Sequence, residues 1–205
     1  MRQGVRDEAD NQTVRQVPSR PQLKRGPLGR MHHMEDTFTF KCSKCGEVHV
    51  GPPDLAFDSP FYYHVMSEDE RQRSAVITAD TCVIEDKEFF VRGVLETPVH
   101  GRDTTFAYGV WVSLSEKSFG RYLELFESPD RLDEAPYFGW FSNQLPGYPD
   151  TLNLKTHVQL RPYPSRPSIE LEATDHPLAL EQRNGISVDR LREILEANEH
   201  GGHAA

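Results

Sequence analysis

Cys42 and Cys45 stand two residues apart, Gly46 follows the second sulfur directly, and His49 comes three residues later, all within "FKCSKCGEVHVG" at residues 40–51. Two thiolates at this spacing can wrap one zinc ion in a tight turn. A glycine behind the second sulfur relieves the backbone there and lets N–H groups point at sulfur. His49 can reach back from the outgoing strand as a third ligand. Two other readings fit the same residues: a redox dithiol, or a turn whose reduced cysteines are merely close. The redox reading lacks its usual setting, a strand followed by a Cys-x-x-Cys that opens a long helix. Zinc is therefore the expected ion. No second Cys-x-x-Cys and no His-x3-His follows, so a fourth ligand must come from far along the chain or from water. Cys82, at the start of an expected strand, is the first remote candidate and His64 the second. The plainer role for Cys82 is a small buried side chain.

Other groupings are weaker. Asp175-His176 resembles half of an acid–base pair, but sequence neighbours on a helix do not face each other, and a capped helix start explains them more simply. The aromatics of "PYFGWFSNQLPGYPDT" read as core filling before they read as a pocket. Arg161 and Arg166 flank prolines and could form an anion site with His157; a solvated strand end is the blander reading. The chain has no phosphate loop, Gly-x-Ser-x-Gly, His-Glu-x-x-His or dinucleotide fingerprint.

The elements that must position the cysteines follow from periodicity. Apolar residues alternate on either side of the Cys-Gly turn (Phe38 and Phe40, then Val48 and Val50), which predicts a zinc-knuckle-like hairpin. Ser67 and Glu70 have capping-box spacing and predict a short helix over about 68–75. Cys82 to Ile84 and Phe89 to Leu95 predict paired strands across a Glu-Asp-Lys turn. Residues 105–114 predict a strand with Phe106, Tyr108, Val110, Val112 and Leu114 on one face and Trp111 on the other. Ser115 predicts a helix cap, followed by an apolar stripe of Phe119, Tyr122, Leu123 and Phe126 assigned with Trp111 to the main core. Three further strands are expected in "YFGWFSN", "TLNLKTHVQL" and "SIELEAT", the second with one wet face. A helix capped by Asp175 or Thr174 and a last helix carrying Val188, Leu191, Ile194 and Leu195 complete the pattern. Strands in runs with helices at their ends indicate an α+β fold with a mainly antiparallel sheet and a few short helices.

The 205 residues carry a net charge of −9, with 37% hydrophobic residues. Residues 1–30 hold seven Lys/Arg against three Asp/Glu, so this segment is +4 and the remainder −13. An acidic body argues against nucleic acid as the main ligand, since phosphate contacts need a basic face. No run approaches the roughly 18 apolar residues that cross a membrane, and the N-terminus lacks an apolar export segment. A cytoplasmic protein is expected. Residues 1–34, rich in Gln, Arg, Pro and Gly, read as a disordered tail, 35–198 as one α+β domain, and 199–205 as a frayed end. Met31 and Met34 are alternatives to Met1 as the biological start.

Taken in order, "FKCSKCGEVH", "DTCVI", "FFVRGVLETPV", "GVWVSLSE", "PYFGWFSNQLPGYPDT" and "RPSIELEATDHPLALEQRNGIS" resemble a bacterial family of uncharacterised proteins, DUF2199, over roughly residues 38–195. The resemblance implies a small bacterial protein and transfers no activity, substrate or catalytic residue. The residues themselves support two expectations. One is a zinc-stabilised domain that binds another protein. The alternative is a metal-dependent hydrolase with an open coordination position, which a missing fourth protein ligand would favour.

Overall fold

The structure is a computed structural model that describes residues 38–51, 54–103 and 105–200. The expected tail at 1–34 lies outside the described residues. Among the described residues, ten strands and five α-helices follow one another in a mixed order, most strand pairs antiparallel. The α+β expectation is met.

Two long neighbours organise the sheet. β6 (Glu88–Pro98) and β7 (Thr105–Leu114) pair antiparallel along their length, from Phe89 opposite Leu114 to Pro98 opposite Thr105. Each shares its second edge between two strands. β6 pairs with β5 (Thr81–Ile84) at one end and with β10 (Ser168–Leu171) at the other. β7 pairs with β3 (Asp54–Ala56) and with β8 (Tyr137–Phe141). β9 (Lys155–Gln159) joins β8 to β10, so β6, β7, β8, β9 and β10 close into a five-stranded barrel. β4 (Ala75–Ile77) extends the sheet beyond β5. The β5–β6 turn is tight, with Glu85 and Asp86 both at φ 52, the paired left-handed geometry that matches strand twist.

Strand alternation fills the barrel. Phe106, Tyr108, Val110, Val112 and Leu114 of β7 are all buried, as expected, with Val91 and Leu95 of β6, Phe141 of β8, Val158 of β9 and Ile169 of β10. So small a barrel leaves little radial room. A Cβ on Gly139 would sit 2.4 Å from Val112 Cγ1 and 2.6 Å from the Ser113 carbonyl oxygen.

Trp111 is fully buried on the other face of β7. There it forms a separate cluster with Cys82, Ile84 and Phe90, so it is not part of the main core to which the sequence assigned it. Its backbone N–H donates to Asn143 Oδ1 at 2.7 Å and its indole N–H to the Phe57 carbonyl at 3.0 Å. The segment after β8 thus serves as a packed connection, and within β8 Tyr137 and Phe141 are buried while Phe138 and Trp140 face outward.

The helices cover the barrel. α1 (Phe61–His64) and α2 (Glu68–Ser74) precede β4, and α2 carries the expected capping box between Ser67 and Glu70. α3 (Glu116–Glu124) is capped by Ser115, whose hydroxyl accepts from the Ser118 N–H. Phe119 and Tyr122 are buried, but Leu123 is 49% exposed. The helix ends at Glu124, and Leu125, leaving the helical path, turns inward in its place at 4% exposure. A 3-10 turn over Pro129–Asp133 follows. α4 (Pro177–Asn184) is capped neither by Asp175 nor by Thr174. His176 Nδ1 accepts the Leu178 N–H at 3.2 Å, while the Thr174 hydroxyl accepts the His176 N–H one step earlier. With proline at the first helical position, the cap residue is the one directly before it. α5 (Val188–His200) runs two residues past the expected end of the domain and buries Leu191, Ile194 and Leu195.

Candidate metal centre

β1 (Phe38–Lys41) and β2 (Val48–Gly51) form a separate two-stranded hairpin, with Phe40 opposite His49. The turn between them is built by backbone hydrogen bonds. The Cys42 N–H donates to the Glu47 carbonyl at 2.8 Å and the Gly46 N–H to the Cys42 carbonyl at 3.0 Å. Gly46 takes φ +75, a left-handed conformation that explains the glycine behind the second sulfur. The turn also directs the Lys44 N–H at Cys42 Sγ, 3.3 Å away.

Strand alternation then brings in the histidine. Val48 and Val50 point outward, 65% and 63% exposed, so His49 between them turns toward Phe40, and the two rings stack at 5.6 Å. His49 Nε2 lies 3.0 Å from Cys45 Sγ. One donor atom each from Cys42, Cys45 and His49 falls within 4.8 Å of the others, close enough to hold one metal ion. Cys42 is 2% exposed and Cys45 is exposed, so the cluster has one buried and one open side. Two sulfurs and an imidazole form a donor set that suits a borderline-soft cation such as zinc.

Phe40 and Cys42 join the main core, so the hairpin leans on the body through its first strand. Its turn is also clamped from α5. The Ser43 N–H donates to Glu196 Oε1 at 2.7 Å and the Ser43 hydroxyl to Oε2 at 2.6 Å. Glu196 is 5% exposed, and these two bonds, the larger from the hydroxyl, hold its carboxyl below the usual carboxylate range despite burial, with Arg192 and Lys44 assisting. Sequence reading missed this residue, because nothing in "LREILEANEH" marks one glutamate as the partner of a serine 153 positions earlier.

The structure brings together three of the four expected ligands. Cys82 does not join them: it lies on β5 at 0% exposure in the Trp111 cluster, and burial pushes its thiol up to about 12. His64 ends α1 and is likewise outside the group. The residues of the weaker anion grouping each lie beside a carboxylate, in line with the blander reading of a solvated strand end. Arg161 pairs with Glu96 at 3.3 Å, Arg166 with Asp80 at 3.0 Å, and His157 lies 3.8 Å from Glu172.

The family model of uncharacterised proteins conserved in bacteria, DUF2199, matches residues 41–186, well over half of the chain. The chain belongs to this family, and the match takes in Cys42, Cys45 and His49. No curated protein and no solved structure matches it. No helix among the described residues is long and apolar enough to cross a membrane.

Proposed function

We propose that Cys42, Cys45 and His49 bind one zinc ion, and that the ion stiffens the β1–β2 hairpin as a docking element for another protein. The observation that carries the metal is the convergence of the three donor atoms within 4.8 Å, with the Lys44 N–H already aimed at one sulfur. Two features favour a binding role. Val48 and Val50 expose an apolar pair beside the cluster. The carboxylate that approaches the turn, Glu196, has both oxygens engaged by Ser43 and so is committed to holding the hairpin. None of the three cysteines forms a disulfide, in keeping with the reducing cytoplasm we assign to the protein.

A second reading, a metal-dependent hydrolase, is favoured by the number of ligands. Three protein donors among the described residues leave a fourth position open, as in catalytic zinc sites. Affinity capture with the zinc-loaded full chain tests the first reading. Partners held by the native protein should be lost when Val48 and Val50 are both changed to serine while zinc content stays the same. Partners retained by that variant would remove the hairpin from the interface. Zinc-dependent ester or phosphoester hydrolysis that vanishes in His49→Ala would favour the second reading.

A further inference from the structure

Cys42 and Cys45 differ in exposure although their sulfurs share one turn. Cys45 is exposed, whereas Cys42 is 2% exposed and packs with Phe40 into the main core. The two Sγ atoms lie within 4.8 Å of each other, and Cys45 Sγ is 3.0 Å from His49 Nε2. A disulfide holds its sulfurs at about 2 Å, an approach of under about 3 Å that rotation of two cysteine side chains can supply. An exposed sulfur with a second sulfur beside it is the arrangement of an attacked and a resolving cysteine. Cys82 stands outside the group, at 0% exposure in the Trp111 cluster.

The turn is held without help from an ion. The Cys42 N–H donates to the Glu47 carbonyl at 2.8 Å, the Gly46 N–H donates to the Cys42 carbonyl at 3.0 Å, and Ser43 is bound twice by Glu196. His49 belongs instead to β2, opposite Phe40. An ion on all three donors therefore ties β2 to the turn, whereas a bond between Cys42 and Cys45 ties the turn only to itself.

We propose that Cys42 and Cys45 form a peroxide-sensitive switch, in which oxidation of the pair to an intramolecular disulfide expels the zinc and releases β2 from the turn. This rests on the zinc-binding reading above. Zinc has no redox chemistry of its own, so both electrons come from sulfur. Ligand sulfurs are held as thiolates, the form that attacks peroxide. The Cys45 thiolate attacks one oxygen of hydrogen peroxide and breaks the O–O bond. Cys45 becomes a sulfenic acid, and the departing hydroxide takes a proton to give water. The Cys42 thiolate then attacks the Cys45 sulfur, forming the S–S bond and breaking the S–O bond, and the second hydroxide also leaves as water after taking a proton. In sum, two thiolates, one hydrogen peroxide and two protons give one disulfide and two waters. The ion keeps only His49 among its three protein donors and dissociates. Val48 and Val50, on either side of His49, then lose the frame that presents them.

The test uses the full chain loaded with zinc, its metal content measured before any oxidant is added. Hydrogen peroxide is then added, zinc release is followed with a zinc-sensitive dye, and the cysteines are read by mass spectrometry after alkylation and digestion. One zinc should be released for each Cys42–Cys45 disulfide formed, with Cys82 still a thiol. Dithiothreitol followed by zinc should restore the metal content. Amide hydrogen exchange over Val48–Gly51 should be faster in the oxidised protein than in the zinc-loaded one. Protein that takes up no zinc before peroxide would overturn the binding reading and the switch together. Zinc-loaded protein that keeps its metal under peroxide, releases it without a Cys42–Cys45 disulfide, forms a disulfide through Cys82, or shows unchanged exchange over β2 would overturn the switch alone.

Discussion

Ser43 and Glu196 are 153 positions apart and make two charge-assisted hydrogen bonds, at 2.7 and 2.6 Å, between the Cys-x-x-Cys turn and the last helix. Through this pair the folding of the C-terminal helix fixes the attitude of a hairpin formed near the start of the described chain.

The pair implies a pH dependence. The folded carboxyl of Glu196 is held below the ordinary 4.5, so its contribution to stability is present above the unfolded value and is lost as pH falls through the lower folded value. Glu196→Gln is expected to melt below the native protein at pH 7. The gap should narrow as pH drops below about 4.5 and close once both forms are protonated. Thermal melts across pH 3–7 check this; a gap independent of pH would mean that the charge on Glu196 contributes nothing.

Gly139→Ala is expected to destabilise the barrel by about 1–3 kcal/mol, the usual cost of overpacking. The added methyl would meet Val112 Cγ1 and the Ser113 carbonyl, and the carbonyl belongs to a paired strand that cannot retreat. Denaturant unfolding measures the difference.

Leu125→Ala should cost about 2–5 kcal/mol, as for other truncated core leucines, because Leu125 is 4% exposed. Leu123→Ala, at a 49% exposed position, should stay within about 0.5 kcal/mol. Equal losses at the two sites would contradict the outward placement of Leu123 on α3.

Much of this was legible in the sequence. The period-two alternation of β7, the capping box at Ser67 and the cap at Ser115 depend on neighbours a few residues away, and each forms as read. The grouping of Cys42, Cys45 and His49 is equally local, since one turn and one strand step bring them together. What stayed hidden depends on long-range closure. Barrel formation requires β6 to meet both β7 and the distant β10, which no local pattern encodes. The same closure puts Cys82 on the outer face of the sheet with Trp111, away from the hairpin. Leu123 misled because a helical stripe was extended through the residue where the helix was about to end.

The three thiols should differ in reactivity. Cys82, at 0% exposure with its thiol pushed up to about 12, is expected to stay unmodified by iodoacetamide in the folded protein at pH 8. Cys45 is exposed and should react in metal-free protein and be protected once zinc is added. Mass spectrometry of digested protein reads each site; rapid labelling of Cys82 under native conditions would contradict its placement in the Trp111 cluster.

Metal analysis combined with X-ray absorption at the zinc edge, on full chain purified without chelator, tests the central claim most directly. The expected result is about one zinc per chain with two sulfur ligands and at least one imidazole, lost in Cys45→Ser together with a lower melting temperature, and retained in Cys82→Ser. Protein that holds no zinc, gains no stability when zinc is added, or keeps its full zinc content in Cys45→Ser would contradict it.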